Sequence, residues 1–231
     1  MTITTVGLDA DDTLWHSEGD FEVSQSMFRE LVAPFADPTI DLDQCLVETE
    51  RRNLEYFGFG VKGFVISMIE TAIEVTEGRV TAREIHALIE RGKAMIDHPV
   101  ELLDGVADTV FELSHQYRLV LVTKGDLMHQ EQKVARSGLA DLFTYIEIVS
   151  EKDPATYSRV LHRHGIAPAE FVMVGNSVRS DVLPVLAIGG HAVHVPYELT
   201  WVHELAEHDG SVPTLASIRE LPGWLSDLAV V

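Results

Sequence analysis

The stretch Val6-Gly7-Leu8-Asp9-Ala10-Asp11-Asp12-Thr13-Leu14 decides the architecture, because it joins a short β-branched run directly to a burst of carboxylates. The run leading into it, Ile3 to Leu8, lacks the in-and-out alternation of a half-exposed strand and reads as a parallel strand covered on both faces. Four later runs share its texture: Leu119 to Val122, Tyr145 to Val149, Phe171 to Val174 and Ala192 to Val195. Between them lie helical patterns with recognisable ends. Asp104-Gly105 precedes Val106, Val110 and Leu113; Asp126 opens a helix that stops at Gly138; Asp153-Pro154 opens another; and Gly189-Gly190 closes the one carrying Val182, Val185 and Leu186. Strand and helix alternate from about residue 100 onward, which predicts a doubly wound, parallel α/β sheet of Rossmann-like form.

Residues 17–98 have a different texture. Phe21, Phe28, Leu31 and Phe35, then Leu42, Leu46 and Thr49, then Val65, Ile69 and Ala72 repeat at helical spacing, and Thr81-Ala82-Arg83-Glu84 is a capping-box pattern ahead of Ile85, Leu88 and Ile89. The expected organisation is a core made of residues 1–16 and 99–231, with an all-helical domain of about four helices, residues 17–98, inserted after the first strand.

Ligands of open α/β sheets lie beyond the carboxyl ends of the strands. Four of the five runs end there in polar chemistry: Asp9 to Thr13, Thr123-Lys124-Gly125-Asp126, Ser150-Glu151-Lys152, and Gly175-Asn176-Ser177 through Asp181. Side chains alternate along a strand, so Asp9 and Asp11 project to one side. Two carboxylates in one space suit an acid beside a nucleophile, or a hard-metal site; a turn or N-cap cluster is the structural alternative. Thr123 and Lys152 add a hydroxyl and an ammonium suited to a tetrahedral anion.

Composition bounds the function. In 231 residues there are 17 basic and 37 acidic side chains, a formal charge of −20, which disfavours nucleic acid and anionic membranes as partners but not a small phosphorylated ligand. The single cysteine, Cys45, is expected to be a small buried hydrophobe in a reducing compartment. The N-terminal residues lack a basic, then apolar, leader pattern, and no apolar run approaches a membrane span, so a cytoplasmic location is expected.

The quoted motifs together resemble the haloacid dehalogenase-like (HAD) hydrolase superfamily. Val6 to Leu14 is similar to its first motif, Asp-x-Asp-Gly-Thr-Leu after an apolar strand. Thr123 resembles the second-motif hydroxyl, Lys152 with Asp153-Pro154 and Tyr157 the third-motif lysine and its helix, and Gly175-Asn176-Ser177 with Asp181 the acidic fourth motif. The helical block stands where the family carries its first-type cap. Two positions depart from the pattern: Asp12 replaces a common Gly, with little consequence expected, and Asn176 replaces an acid, removing one charge from the metal site.

The resemblance implies a phosphatase acting on a small phosphorylated metabolite, in which Asp9 attacks phosphorus and the aspartyl phosphate is then hydrolysed. Asp11 is implied as the acid and then the base. Mg2+ is implied on Asp9, the Asp11 main-chain carbonyl and Asp181, with or without Asn176, while Thr123 and Lys152 hold the remaining oxygens and the cap excludes water. Haloacid dehalogenase or phosphomutase chemistry, or a non-catalytic binding domain, are the alternatives. Trp15 and His16 read as substrate-touching residues, with hinge packing as the alternative for Trp15. Lys124 reads as an exposed lysine with an anion contact as the alternative, and Arg179 as an orienter of Asp181 or a surface residue. His162, His164, His203 and His208 read as surface or locally satisfied side chains.

Overall fold

The computed structural model describes residues 2–199 and 212–230; His203 and His208 lie outside them. In chain order, β1 (Thr5–Leu8) is followed by α1 (Glu18–Val32), α2 (Leu42–Phe57), α3 (Val61–Val75) and α4 (Ala82–Asp97). Then come α5 (Val106–Ser114), β2 (Arg118–Lys124), α6 (Leu127–Arg136), β3 (Tyr145–Val149), α7 (Pro154–Arg163), β4 (Phe171–Gly175), α8 (Leu183–Ala187), β5 (His191–His194) and α9 (Leu221–Val230). The chain forms two compact units, Met1–Glu18 with Val100–Val231, and Gly19–Pro99.

The first unit is built on a parallel sheet in the order β3-β2-β1-β4-β5. Alternation along the strands sorts side chains to two faces. Val6, Leu8, Leu119, Leu121, Val172, Val174 and Val193 pack with α5, α6 and α9, while Val120, Val122, Phe171 and Met173 pack with Tyr157 and Leu161 of α7 and Val185 of α8. Both faces are therefore covered, which is why the central strands read as continuous apolar runs. Gly7 has a steric role here: a Cβ at that position would strike the Phe171 ring packed across it. One expectation needs correcting. Tyr145 to Val149 is an edge strand, not a fully covered one; Ile146 is exposed and Glu147 pairs with Arg163 and His164.

Helix ends follow the sequence signals. The Asp126 and Asp153 side chains accept from the main-chain N–H of His129 and Thr156, and Pro154 occupies the first turn of α7. Gly138 and Gly189 take left-handed angles, φ 72° and 82°, where α6 and α8 stop.

The second unit packs its helices around Phe28, Val32, Leu46, Phe64, Met68, Ala72, Leu88 and Met95. Asp41 caps α2, and Thr81 caps α4 while donating its hydroxyl to Glu84. Cys45, expected to be buried, is only half-buried on α2; it lies off the stripe of Leu46, Thr49, Glu50 and Asn53 that α2 buries. Among the described residues no helix is long and apolar enough to cross a membrane.

Candidate active site

Parallel register aligns the carboxyl ends of β1, β2 and β4, with Leu8 beside Leu121 and Val174, so the residues that follow them emerge together. The Asp9 main-chain N–H still bonds to the Val174 carbonyl at 2.9 Å, which carries strand geometry one residue further and presents the carboxylate at the sheet edge. There Lys152, only 4% exposed, donates to Asp9 and, at 2.7 Å, to Asp181, which is fully buried. The second Asp181 oxygen accepts the Ser177 main-chain N–H at 3.0 Å.

Local backbone explains why Asp181 fits. Val178–Val182 forms one wide π-type turn, fixed by the Ser177 side chain accepting from Ser180 N–H and by the Tyr157 hydroxyl donating to the Ser180 carbonyl at 3.1 Å. Gly175 completes the cradle, because a Cβ there would overlap the Asp181 carboxylate. The Thr13 hydroxyl joins the remaining groups: it lies 3.2 Å from Asp9 Oδ2 and 3.3 Å from Asn176 Oδ1, and accepts the Asn176 main-chain N–H at 3.1 Å.

Two carboxylates thus share one ammonium, and one negative charge is left over. Burial, reinforced by Asp181, pushes the Asp9 carboxyl up to about 7 against the opposing pull of Lys152. Burial alone would lower the Lys152 pKa, but Asp181 and Asp9 hold it well above its usual range. The oxygen-only donors gathered here, the Asp9 and Asp181 carboxylates and the Asn176 amide oxygen, fit a hard divalent cation. Only two of those groups are carboxylates, and among the described residues no cluster of three or more His, Cys, Asp or Glu side chains is arranged to hold a metal.

Asp11 is held apart from this triad. Its Oδ1 accepts from Trp15 Nε1 at 2.6 Å and Lys133 Nζ at 2.5 Å, and its Oδ2 from Gln130 Nε2 at 3.0 Å. Burial raises its pKa, but Lys133 and the Gln130 and Trp15 hydrogen bonds outweigh that and bring it below the usual carboxylate range. This geometry presents Asp11 as an ionised acceptor at rest. Thr123, almost fully buried at the end of β2, lies 2.7 Å from the same Gln130 Nε2.

Several secondary residues are relocated. Lys124 is not an exposed lysine; its ammonium donates to Ser180 Oγ at 3.0 Å and sits 3.6 Å from Glu151, with a side chain 13% exposed. Trp15 is buried, and its indole N–H donates to Asp11. His16 meets the Tyr197 hydroxyl at 2.7 Å, and Arg179 is exposed. His164 stacks on Tyr145 and meets Glu147, and His162 is exposed. Asp12 has φ 60°, the left-handed angle that explains a Gly at this place, and its carboxylate accepts from the main-chain N–H of Ser17 and Glu18. It has a bonding role the sequence did not reveal. Gln130 and Lys133 were also missed; their one signal is the i, i+3 spacing that puts them on one face of α6.

A family model for haloacid dehalogenase-like hydrolases matches residues 3–189. A haloacid dehalogenase-like family hydrolase from Xanthomonas campestris is 45% identical, with TM-score 0.88 over 99% of this chain and 93% of that one. A 2-haloacid dehalogenase from Pseudomonas syringae pv. Tomato DC3000 shares the fold, with TM-score 0.66 and 20% identity over 99% of this chain and 100% of that one. N-acylneuraminate-9-phosphatase of Mus musculus is 27% identical over 177 residues, 69% of this chain. The match spans 66% of that relative's length.

Proposed function

The chain belongs to the haloacid dehalogenase-like hydrolases, and on that premise we propose that this hydrolase is a Mg2+-dependent phosphatase of small phosphate monoesters. The observation that carries the reading is the buried cluster in which Lys152 joins Asp9 to Asp181 while a second carboxylate, Asp11, stands two residues from the first. The phosphatase relatives support the reaction class.

In the proposed reaction Asp9 attacks phosphorus, forming an aspartyl phosphate as the leaving oxygen departs; water then attacks that phosphorus, breaking its bond to Asp9 and releasing inorganic phosphate and the free Asp9 carboxylate. Lys152 and Thr123 donate to the phosphoryl oxygens. Asp11, ionised at rest, takes up a proton from solvent as the bound phosphate raises its proton affinity, gives it to the departing leaving oxygen, and then, ionised again, takes the proton of the attacking water. Asp9, the Asp11 carbonyl, Asp181 and Asn176 would hold Mg2+, which when bound supplies charge neutralisation for the phosphoryl group. The helical unit, Gly19–Pro99, takes the part of the family's cap domain in this reading.

One observation favours a dehalogenase instead: a halide needs no proton, and Lys133 keeps Asp11 ionised. The test is a hydrolysis screen with Mg2+ and with chelator. It covers phosphorylated metabolites, an N-acylneuraminate 9-phosphate among them, and 2-chloropropionate. Phosphate release that needs Mg2+ and vanishes in Asp9→Asn is the expected result. Chloride release without phosphate release would overturn it.

A further inference from the structure

A lysine on a helix facing solvent normally keeps its ammonium in water, and Lys133, in the last turn of α6, does not. Its side chain is 13% exposed and its ammonium lies 2.5 Å from Asp11 Oδ1. Withdrawing an ammonium from water for one carboxylate brings the fold little net stability. Three residues earlier, Gln130 is 2% exposed, and its amide nitrogen faces Asp11 Oδ2 at 3.0 Å, Thr123 Oγ1 at 2.7 Å and the Lys124 carbonyl at 2.6 Å. Asp11 and the Lys124 carbonyl only accept, so both amide hydrogens are committed and the orientation of the amide is fixed. Its oxygen is left buried without a partner, a cost a purely structural glutamine would avoid by turning outward.

Asp11 lies beyond the last residue of β1, next to a left-handed residue, so the sheet does not fix its side chain. With Trp15 below it and the two α6 donors beside it, the carboxylate is held at both oxygens. We propose that Lys133 and Gln130 are positioning residues for the hydrolysis, setting the Asp11 carboxylate in its working orientation and joining it through the Gln130 amide to Thr123. The inference rests on the phosphatase reading and deepens it: α6 is a wall of the same site.

The experiment compares the intact protein with Lys133→Met, Lys133→Arg and Gln130→Leu on 4-nitrophenyl phosphate and on an alkyl phosphate, whose leaving oxygen needs its proton far more. Lys133→Met is expected to lower kcat for the alkyl ester by about tenfold or more, to lower it about twofold for the aryl ester, and to leave KM within about twofold. Lys133→Arg, which keeps a cationic donor, is expected to recover most of the loss. Because the effect passes through Asp11, adding Lys133→Met to Asp11→Asn should cost nothing further. Gln130→Leu should show the same leaving-group pattern even if Lys133→Met folds poorly. Equal losses on both esters, or losses that multiply with Asp11→Asn, overturn the inference while leaving the phosphatase reading intact. An intact protein inactive on both esters, or an Asp9→Asn protein as active as the intact one, overturns the reading and the inference together.

Discussion

In the sheet unit Asp9 and Asp181 are buried around a shared ammonium and Asp11 is met by a second one, whereas in the helical unit Glu50 is 5% exposed with no partner at all for Oε2. The neighbours of Glu50 on the buried stripe of α2 are Thr49 and Asn53, and Asn53 spends its amide on Ser67 and Glu70. Burial pushes Glu50 up to about 7. One unit meets its buried acids with cations brought from other elements; the other leaves its buried acid without one. A sheet makes the first solution available, because several strand ends deliver side chains to one place. A single helical stripe packed on its neighbours has no such supply.

Breaking the comparison most severely means removing the shared cation. Lys152→Met leaves two buried carboxylates facing each other, a change expected to cost about 3–5 kcal/mol and to abolish turnover. Urea unfolding at neutral pH measures the first and phosphate release the second. Since the buried Asp9 carboxyl, already raised and now without the pull of Lys152, would take up a proton more readily, the stability deficit should shrink as pH falls. A variant with intact stability and rate would remove Lys152 from the proposed machinery.

The strand-end residues of this site were readable in the sequence for the same reason the sheet can build it. Asp9, Asp11, Thr123, Lys152, Asn176 and Asp181 each follow an apolar run, and parallel strands bring such positions together wherever the chain runs between them. Gln130, Lys133 and Glu50 were not readable. Each sits on a helix, and which face of a helix meets a carboxylate is fixed by packing that periodicity does not specify; Glu50 even interrupts an apolar stripe as an ordinary surface residue would. The edge position of β3 was hidden because strand order is a tertiary property.

The pH dependence of the helical unit sharpens the comparison at smaller scale. Below about 4.5 the Glu50 carboxyl is protonated in folded and unfolded chains alike and the group is neutral to stability. As pH rises, the unfolded chain releases its proton while the folded chain holds it until about 7, so stability falls across that window and the loss is complete above it. Glu50→Gln should therefore stabilise the protein by on the order of 2 kcal/mol at pH 8 and hardly at all near pH 4.5. Thermal unfolding at the two pH values reads the difference, and a shift of equal size at both would mean that Glu50 is not held neutral by burial.

Restoring a third acid to the sheet unit is a gentler change. Asn176→Asp should tighten Mg2+ binding about tenfold through added attraction, and Asp181→Asn should weaken it. Calorimetric titration with Mg2+ alone, without substrate, separates these effects from turnover, which the added anion can lower by repelling phosphate. Unchanged affinity in both variants would take the fourth-motif residues out of the metal site.

Asp12 stands between the two treatments: its buried carboxylate meets backbone N–H groups in place of a cation, and burial, opposed by those bonds, raises it to about 6. Asp12→Gly removes the acceptor for Ser17 and Glu18, a capping loss of about 1 kcal/mol. The same change relieves a left-handed φ of 60° that costs a non-glycine residue of similar order. It also removes a desolvated acid. The terms oppose one another, so the net change should stay within about 1 kcal/mol. Asp12→Ala loses the cap and keeps the strain, so it should be clearly less stable than Asp12→Gly. Paired unfolding measurements on the two variants decide the matter: equal stabilities would show that the backbone angle at residue 12 carries no cost, and that the carboxylate alone explains why this chain has aspartate where its family often has glycine.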